Sequence, residues 1–223
     1  MKVIITGSTG MIGKGVLLEC LDDARIKEVL LINRRSLGME HPKLTEVLLK
    51  DFIDPNPIKN EIAGYDVVYF CLGVSVAGMT EEAYTKITYD YTINFAKAYK
   101  EVNPEGSFFY VSGTGTDSSE SSRAMWKNVK GKVENELLKM GFKTALMFRP
   151  GAIRPMRGIK SRTPLYQNMY TVIKPFWGLF ERMMGDNLTN TTLIGKAMIN
   201  AGLKGSEKVH LENPDINALA NSK

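Results

Sequence analysis

Apolar residues along this 223-residue chain fall into short, almost unbroken runs, separated by stretches in which they recur every three or four positions. The runs are Lys2–Thr6, Val29–Asn33, Glu46–Asp51, Val67–Leu72, Ser107–Ser112 and Thr144–Phe148. Such continuity predicts strands covered on both faces. Between them, helical spacing predicts helices over Gly10–Leu21, Glu81–Lys100 and Arg123–Met140. Val16, Leu17, Cys20 and Leu21 mark one apolar face of the first. After Pro150 the pattern changes. Residues 151–186 hold prolines, aromatics, methionines and basic side chains, followed by a predicted helix over Thr189–Ala201 and a last strand over Lys208–Glu212. The alternation predicts an α/β fold: a doubly wound parallel sheet with right-handed crossovers. We read residues 1–223 as a single domain and 151–186 as a small C-terminal lobe on the substrate side of it. That placement follows from ligands binding at the carboxyl ends of the strands in open α/β sheets.

The first strand runs into Gly7-Ser8-Thr9-Gly10-Met11-Ile12-Gly13, three glycines spaced three apart, and then into a helix. Gly7 suits a sharp turn, Gly10 a close approach of backbone to phosphate, and Gly13 tight packing of helix on sheet. The helix N-terminus then offers free N–H groups to a pyrophosphate. Strand before and helix after make this a dinucleotide cradle of the Rossmann type. About 20 residues on, where an NAD site places Asp or Glu on the ribose 2′-hydroxyl, the chain has Asn33-Arg34-Arg35-Ser36. With no carboxylate to repel a 2′-phosphate and two guanidiniums to bind one, NADP(H) is expected over NAD(H). Asp51, ending the third strand run, is a candidate acceptor for the adenine amino group. Leu72-Gly73-Val74, ending the fourth, would give backbone room beside the cofactor ribose.

Composition narrows the partners. A net charge of +5 without a clustered basic tract fits a phosphorylated small ligand better than nucleic acid. No run of about 18 apolar residues suggests a membrane span. Two cysteines, Cys20 and Cys71, argue against a disulfide framework and for a reducing, cytoplasmic home. His41 and His210 lack partners at metal-ligand spacing, so no metal site is assigned.

The segments Thr6–Gly13, Asn33–Arg35, Tyr110-Val-Ser-Gly-Thr114, Val129-Lys-Gly-Lys-Val-Glu134, Phe148-Arg-Pro-Gly151 and Leu211-Glu-Asn213 occur in order along nearly the whole chain. In them the chain resembles the short-chain dehydrogenase/reductase superfamily. Within it, the chain looks most like the small atypical members, the Tat-interacting-protein-like and NAD-dependent epimerase/dehydratase-like proteins. The resemblance implies a Ser or Thr after the fifth strand, then Tyr and Lys four residues apart on one helical face. It assigns the lysine to Lys130 and the hydroxyl to Thr114, with Ser112 the alternative. It also adds Pro150, Gly151 and Ile153 to the cofactor-contacting set. The implied reaction is hydride transfer to a carbonyl, or a sugar-nucleotide epimerase-type step.

The tyrosine is missing: four residues before Lys130 stands Trp126. An indole N–H donates a hydrogen bond but does no acid–base chemistry near neutral pH, a contribution worth ~10²–10⁴-fold. Other proton sources are Lys130 itself, a water held by Thr114, or Tyr84, Tyr166 or Tyr170. The competing expectation is a redox-inactive, NADPH-binding regulator or scaffold. The aromatic and methionine-rich stretch Tyr166–Met184 could be a substrate lid, a partner surface or an interfacial patch. Arg154, Arg157, Lys160 and Arg162 beside it suggest an anionic ligand or acidic partner. Substrate identity and oligomeric state stay open.

Overall fold

The computed structural model describes residues 1–160 and 177–222. Arg162, Tyr166, Tyr170 and the rest of the aromatic stretch before Trp177 lie outside the described residues, as does the side chain of Phe180.

Seven strands form one sheet: β1 (Lys2–Thr6), β2 (Glu28–Asn33), β3 (Leu44–Leu48), β4 (Val67–Phe70), β5 (Ser107–Val111), β6 (Ala145–Arg149) and, at the far edge, β9 (His210–Glu212). Their order is β3-β2-β1-β4-β5-β6-β9, and each neighbouring pair runs parallel. A separate parallel pair joins β7 (Ala152–Arg154) to β8 (Leu188–Asn190). Alternate side chains of each strand go to opposite faces. Val3 and Ile5 pack with Val16 and Leu17 of α1 (Met11–Asp22) and with Ile194 and Met198 of α6 (Thr191–Lys204). Ile216 of α7 (Asn213–Ala220) joins the same layer. Ile4 turns the other way, to Phe95 and Tyr99 of α3 (Tyr91–Val102) and to Val133 and Leu137 of α4 (Met125–Lys139). Both faces of the strands are covered, which is why their sequences read as continuous apolar runs.

The helix expected over Glu81–Lys100 is present but built in three pieces. These are α2 (Glu81–Thr85), a π-helical turn (Lys86–Asp90) and α3. Such a turn is invisible to a 3.6-residue period. The third strand is the main correction. It was expected over Glu46–Asp51 but pairs over Leu44–Leu48, so Asp51 lies beyond it in a loop. This is an edge strand with no fully buried residue, so its apolar pattern is weak, and the buried Leu49 carries that pattern past the paired residues. The three-residue strands β7 and β8 and helices α5 (Trp177–Met184) and α7 were not foreseen. Such short elements are set by their neighbours rather than by local pattern. Asn213 ties several together: its amide donates to Asn187 O (2.6 Å) and Ala152 O (3.0 Å), and its oxygen accepts from Gly151 N. That is a physical role for the Leu211-Glu-Asn213 segment.

Candidate dinucleotide site

The sheet reverses its winding between β1 and β4, and there the glycine loop sits. Gly7 has φ +67°, and a Cβ on it would stand 2.6 Å from the backbone of Cys71 and Leu72. A Cβ on Gly13 would come within 2.3 Å of the Gly7 carbonyl oxygen. Only glycine lets the loop lie this close to both the sheet and its own helix. Thr6 strengthens the join, its hydroxyl accepting from Leu72 N at 3.3 Å. Gly10 caps α1 without a side-chain acceptor, and the first turn carries no acidic residue. The orphan N–H groups and the positive end of the helix are therefore left to an anion.

Beyond the strand ends opens a cavity of about 1100 Å³. The glycine loop lines it through Gly7, Thr9, Gly10, Met11 and Ile12; Arg34 and Arg35 line it from the end of β2. Leu72, Gly73 and Val74 line it after β4, Ser112 after β5, and Trp126 and Lys130 from α4. Gly13 works behind the wall, as helix packing. Ser8 is buried and donates to Asn33 Oδ1 at 3.0 Å, pinning the loop to β2. Asp51 is not in the wall; its carboxylate accepts from Ile53 N at 3.0 Å. Lys50 takes the place beside it and adds a third cation to this end. The described wall contains Arg34, Arg35, Lys50 and Lys130 and no carboxylate.

One acid does stand close. Glu46 on β3 accepts from Ser36 Oγ (2.5 Å), Asn33 Nδ2 (2.8 Å) and Leu37 N (2.9 Å). Burial works against its charge, but these hydrogen bonds outweigh burial and hold its carboxyl below the usual range. Its lone pairs are spent shaping the turn after Arg35, not facing the cavity.

At the other end, Lys130 Nζ donates to the Ser112 carbonyl oxygen and lies 5.8 Å from the Trp126 ring centroid. Lys127 Nζ lies 5.6 Å from the same ring. Burial brings the Lys130 ammonium down to about 8, against the opposing pull of Glu134 one turn on. The expected hydroxyls point elsewhere. Ser112 Oγ donates to buried Glu134 (2.5 Å), which also pairs with Arg149. Thr114 is off the cavity wall; its hydroxyl bonds Glu212 Oε2 (2.6 Å) and Arg149 O (3.1 Å). Pro150, Gly151 and Ile153 are off the wall too, with Gly151 packed against Thr114. Gly113 is the position that faces Lys130: a Cβ there would lie 3.6 Å from Nζ. The position that faces the lysine thus carries no side chain. Tyr84 of α2 is the one alternative tyrosine that the structure brings to the described wall. Cys71 also lines it, but burial pushes its thiol up to about 12, which disfavours a thiolate nucleophile.

The sequence profile of the NAD dependent epimerase/dehydratase family matches residues 3–122, more than half of the chain. The chain belongs to that family. Among curated relatives it is similar to protein HTATIP2 of Rattus norvegicus, at 29% identity over 154 residues, 68% of this chain and 62% of the rat protein. The match therefore spans less than two thirds of that relative. Protein fmp52-1, mitochondrial, of Aspergillus terreus is 27% identical over 93% of both chains. The cytoplasmic expectation is not shared by this relative's name. A similar fold is seen in UDP-N-acetylglucosamine 4-epimerase from Methanobrevibacter ruminantium M1, with a TM-score of 0.69 at 19% identity. That alignment covers 95% of this chain and 75% of the other. MoeE5 in complex with UDP-glucuronic acid and NAD superposes with a TM-score of 0.72 at 14% identity, over 95% and 76% of the two chains. Among the described residues no helix is long and apolar enough to cross a membrane, and no His/Cys/Asp/Glu group is arranged to hold a metal ion.

Lys50, Glu46 and Glu134 are the site residues that sequence reasoning missed or left without a role. The signal for Lys50 is the end of the paired strand at Leu48, two residues before it. Glu46 and Glu134 act through contacts 9 to 22 residues away in sequence, which no local pattern carries.

Proposed function

We propose that this protein binds NADP(H) in preference to NAD(H). The observation that carries the reading is the cavity wall: Arg34, Arg35 and Lys50 gathered at the β2–β3 end with no carboxylate among the described lining residues. A carboxylate there would accept from a ribose 2′-hydroxyl and repel a 2′-phosphate; guanidiniums reverse that choice. The glycine loop fits the pyrophosphate, since Gly7 and Gly13 let it pack against sheet and helix with no room for a Cβ, and the helix N-terminus behind Gly10 has no side-chain cap and no acid in its first turn. Lys130 would hold the ribose hydroxyls at the nicotinamide end. When bound, the cofactor supplies or accepts a hydride. Lys130, Ser112 and Thr114 remain the residues we assign to the reacting end, with Lys130 the group positioned to meet a substrate oxygen. The substrate class we propose is a small carbonyl compound or a sugar nucleotide; the epimerase/dehydratase family match and the UDP-glucuronic acid bound by MoeE5 support the second. Calorimetric titration of the full chain tests the binding reading. NADP⁺ is expected to bind at least tenfold tighter than NAD⁺; equal affinities would sink it.

A second reading, an NADPH-dependent regulator without turnover, is favoured by Trp126, Gly113 and the inward turn of the Ser112 and Thr114 hydroxyls. It expects NADPH binding with no oxidation across a panel of aldehydes, ketones and nucleotide sugars. Turnover that disappears in Lys130→Ala with NADPH binding kept would refute it.

A further inference from the structure

A second cavity, of about 530 Å³, lies on the other side of Thr9 and Gly10, so these two residues form a wall of both chambers. Its remaining sides come from α1 (Lys14, Leu18), from Ser36 and Leu37 just after the arginine pair, and from the turn Arg157–Lys160. We propose that this chamber is a second cation site for the phosphate on the adenosine ribose, with Lys14 and Lys160 as cofactor-specificity residues. The inference rests on the NADP(H) reading above.

Five observations support it. The chamber adjoins the residues that follow Arg34 and Arg35, where a 2′-phosphate would project. Its described lining carries Lys14, Arg157 and Lys160 and no acidic side chain. Arg157 is already neutralised: its guanidinium pairs with Asp22 (2.8 Å) and Glu19 (3.2 Å) of α1. Neither Lys14 nor Lys160 has a carboxylate partner among the described residues, so their charge is uncompensated by protein. Glu46 of β3, which reaches Ser36 and Leu37 of this lining, has its oxygens occupied by Ser36, Asn33 and Leu37.

The turn is also held in place rather than draped over the surface. Arg157 adopts φ +57°, a left-handed conformation that costs a non-glycine residue and is tolerated where surrounding contacts enforce it. Here they do: Met156 N donates to Thr191 Oγ1 (3.0 Å), Ile159 N closes the turn on Met156 O (3.0 Å), and the two ion pairs pull Arg157 onto α1. Arg157 is thus a positioning residue that sets Lys160 against the glycine loop. The C-terminal part of the chain, beyond the sheet's own cofactor half, would in this way take part in choosing the cofactor.

The experiment is calorimetry on the full chain with 2′,5′-ADP, 5′-AMP, NADP⁺ and NAD⁺, comparing wild type, K14A/K160A, K14R/K160R and R34A/R35A. We expect K14A/K160A to weaken 2′,5′-ADP and NADP⁺ at least tenfold and to leave 5′-AMP and NAD⁺ within twofold. K14R/K160R should retain wild-type preference. If K14A/K160A keeps wild-type NADP⁺ affinity while R34A/R35A loses it, the second site is overturned and the NADP(H) reading stands. Equal loss of all four ligands in K14A/K160A also overturns it, since that marks damage to the fold rather than loss of a phosphate contact. A wild type that binds NADP⁺ and NAD⁺ alike overturns both.

Discussion

Trp126 and Lys130 decide what this site can do at the level of single residues. They sit one helical turn apart, so indole and ammonium lie on one face of α4. The ammonium near the ring is charged below about pH 8 and neutral above it, because burial disfavours the charge. Indole emission should therefore rise as pH passes upward through about 8, and the inflection should be absent in Lys130→Met. Trp126→Phe serves as the control, since Trp177 also emits. A titration curve unchanged by Lys130→Met would separate the two side chains electrostatically. The same pair carries the main chemical lesson. Trp126 was legible as a departure from the Tyr–Lys pattern, because that pattern is local to one helix. That the neighbouring hydroxyls bond the carboxylates of Glu134 and Glu212 was not legible. Ser112 and Thr114 are the right residue types in the right segment, and only their partners, Glu134 and Glu212, turn them away.

Among the elements, α4 and β6 are locked by a charge pair that no sequence spacing announces. Glu134 is fully buried, accepts from Ser112 and pairs with Arg149, whose Nε–Oε1 distance is 3.0 Å. Removing one partner of a buried pair leaves the other charge without compensation, at a cost of about 3–5 kcal/mol. Glu134→Ala should lower the unfolding free energy by that amount, read as a lower urea midpoint at unchanged slope, and it should release the Ser112 hydroxyl. A loss below about 1 kcal/mol would mean that Arg149 finds water instead. The longer elements were readable because their apolar faces repeat over three or more turns or fill a strand completely. The edge strand β3 and the three-residue pair β7–β8 were not, because β3 buries none of its side chains fully, β7 and β8 are too short to show a period, and backbone pairing decides their limits. The shift of β3 was small in residues yet changed the site, exchanging Asp51 for Lys50 in the cavity wall.

For the molecule as a whole, charge is placed rather than merely present. The net +5 of the chain includes the arginines, Lys50 and Lys130 around the larger cavity and Lys14 and Lys160 around the smaller. Phosphate binding by exposed cations is screened by salt. Between about 50 and about 300 mM salt, NADP⁺ affinity should fall roughly tenfold and NAD⁺ affinity less than about threefold. Parallel slopes would place the extra phosphate outside this field. The sequence by itself determined the sheet, its direction, the glycine cradle and the arginine pair beside it, since each is written in contiguous residues with a fixed backbone consequence. It also determined that the Tyr–Lys pair is broken. Tertiary structure alone decided which cations share a wall, which hydroxyls face inward, and that the Arg157–Lys160 turn is pinned beside the glycine loop. Those facts depend on pairings between segments far apart in the chain, where the energy of a buried hydrogen bond or ion pair overrides any local preference.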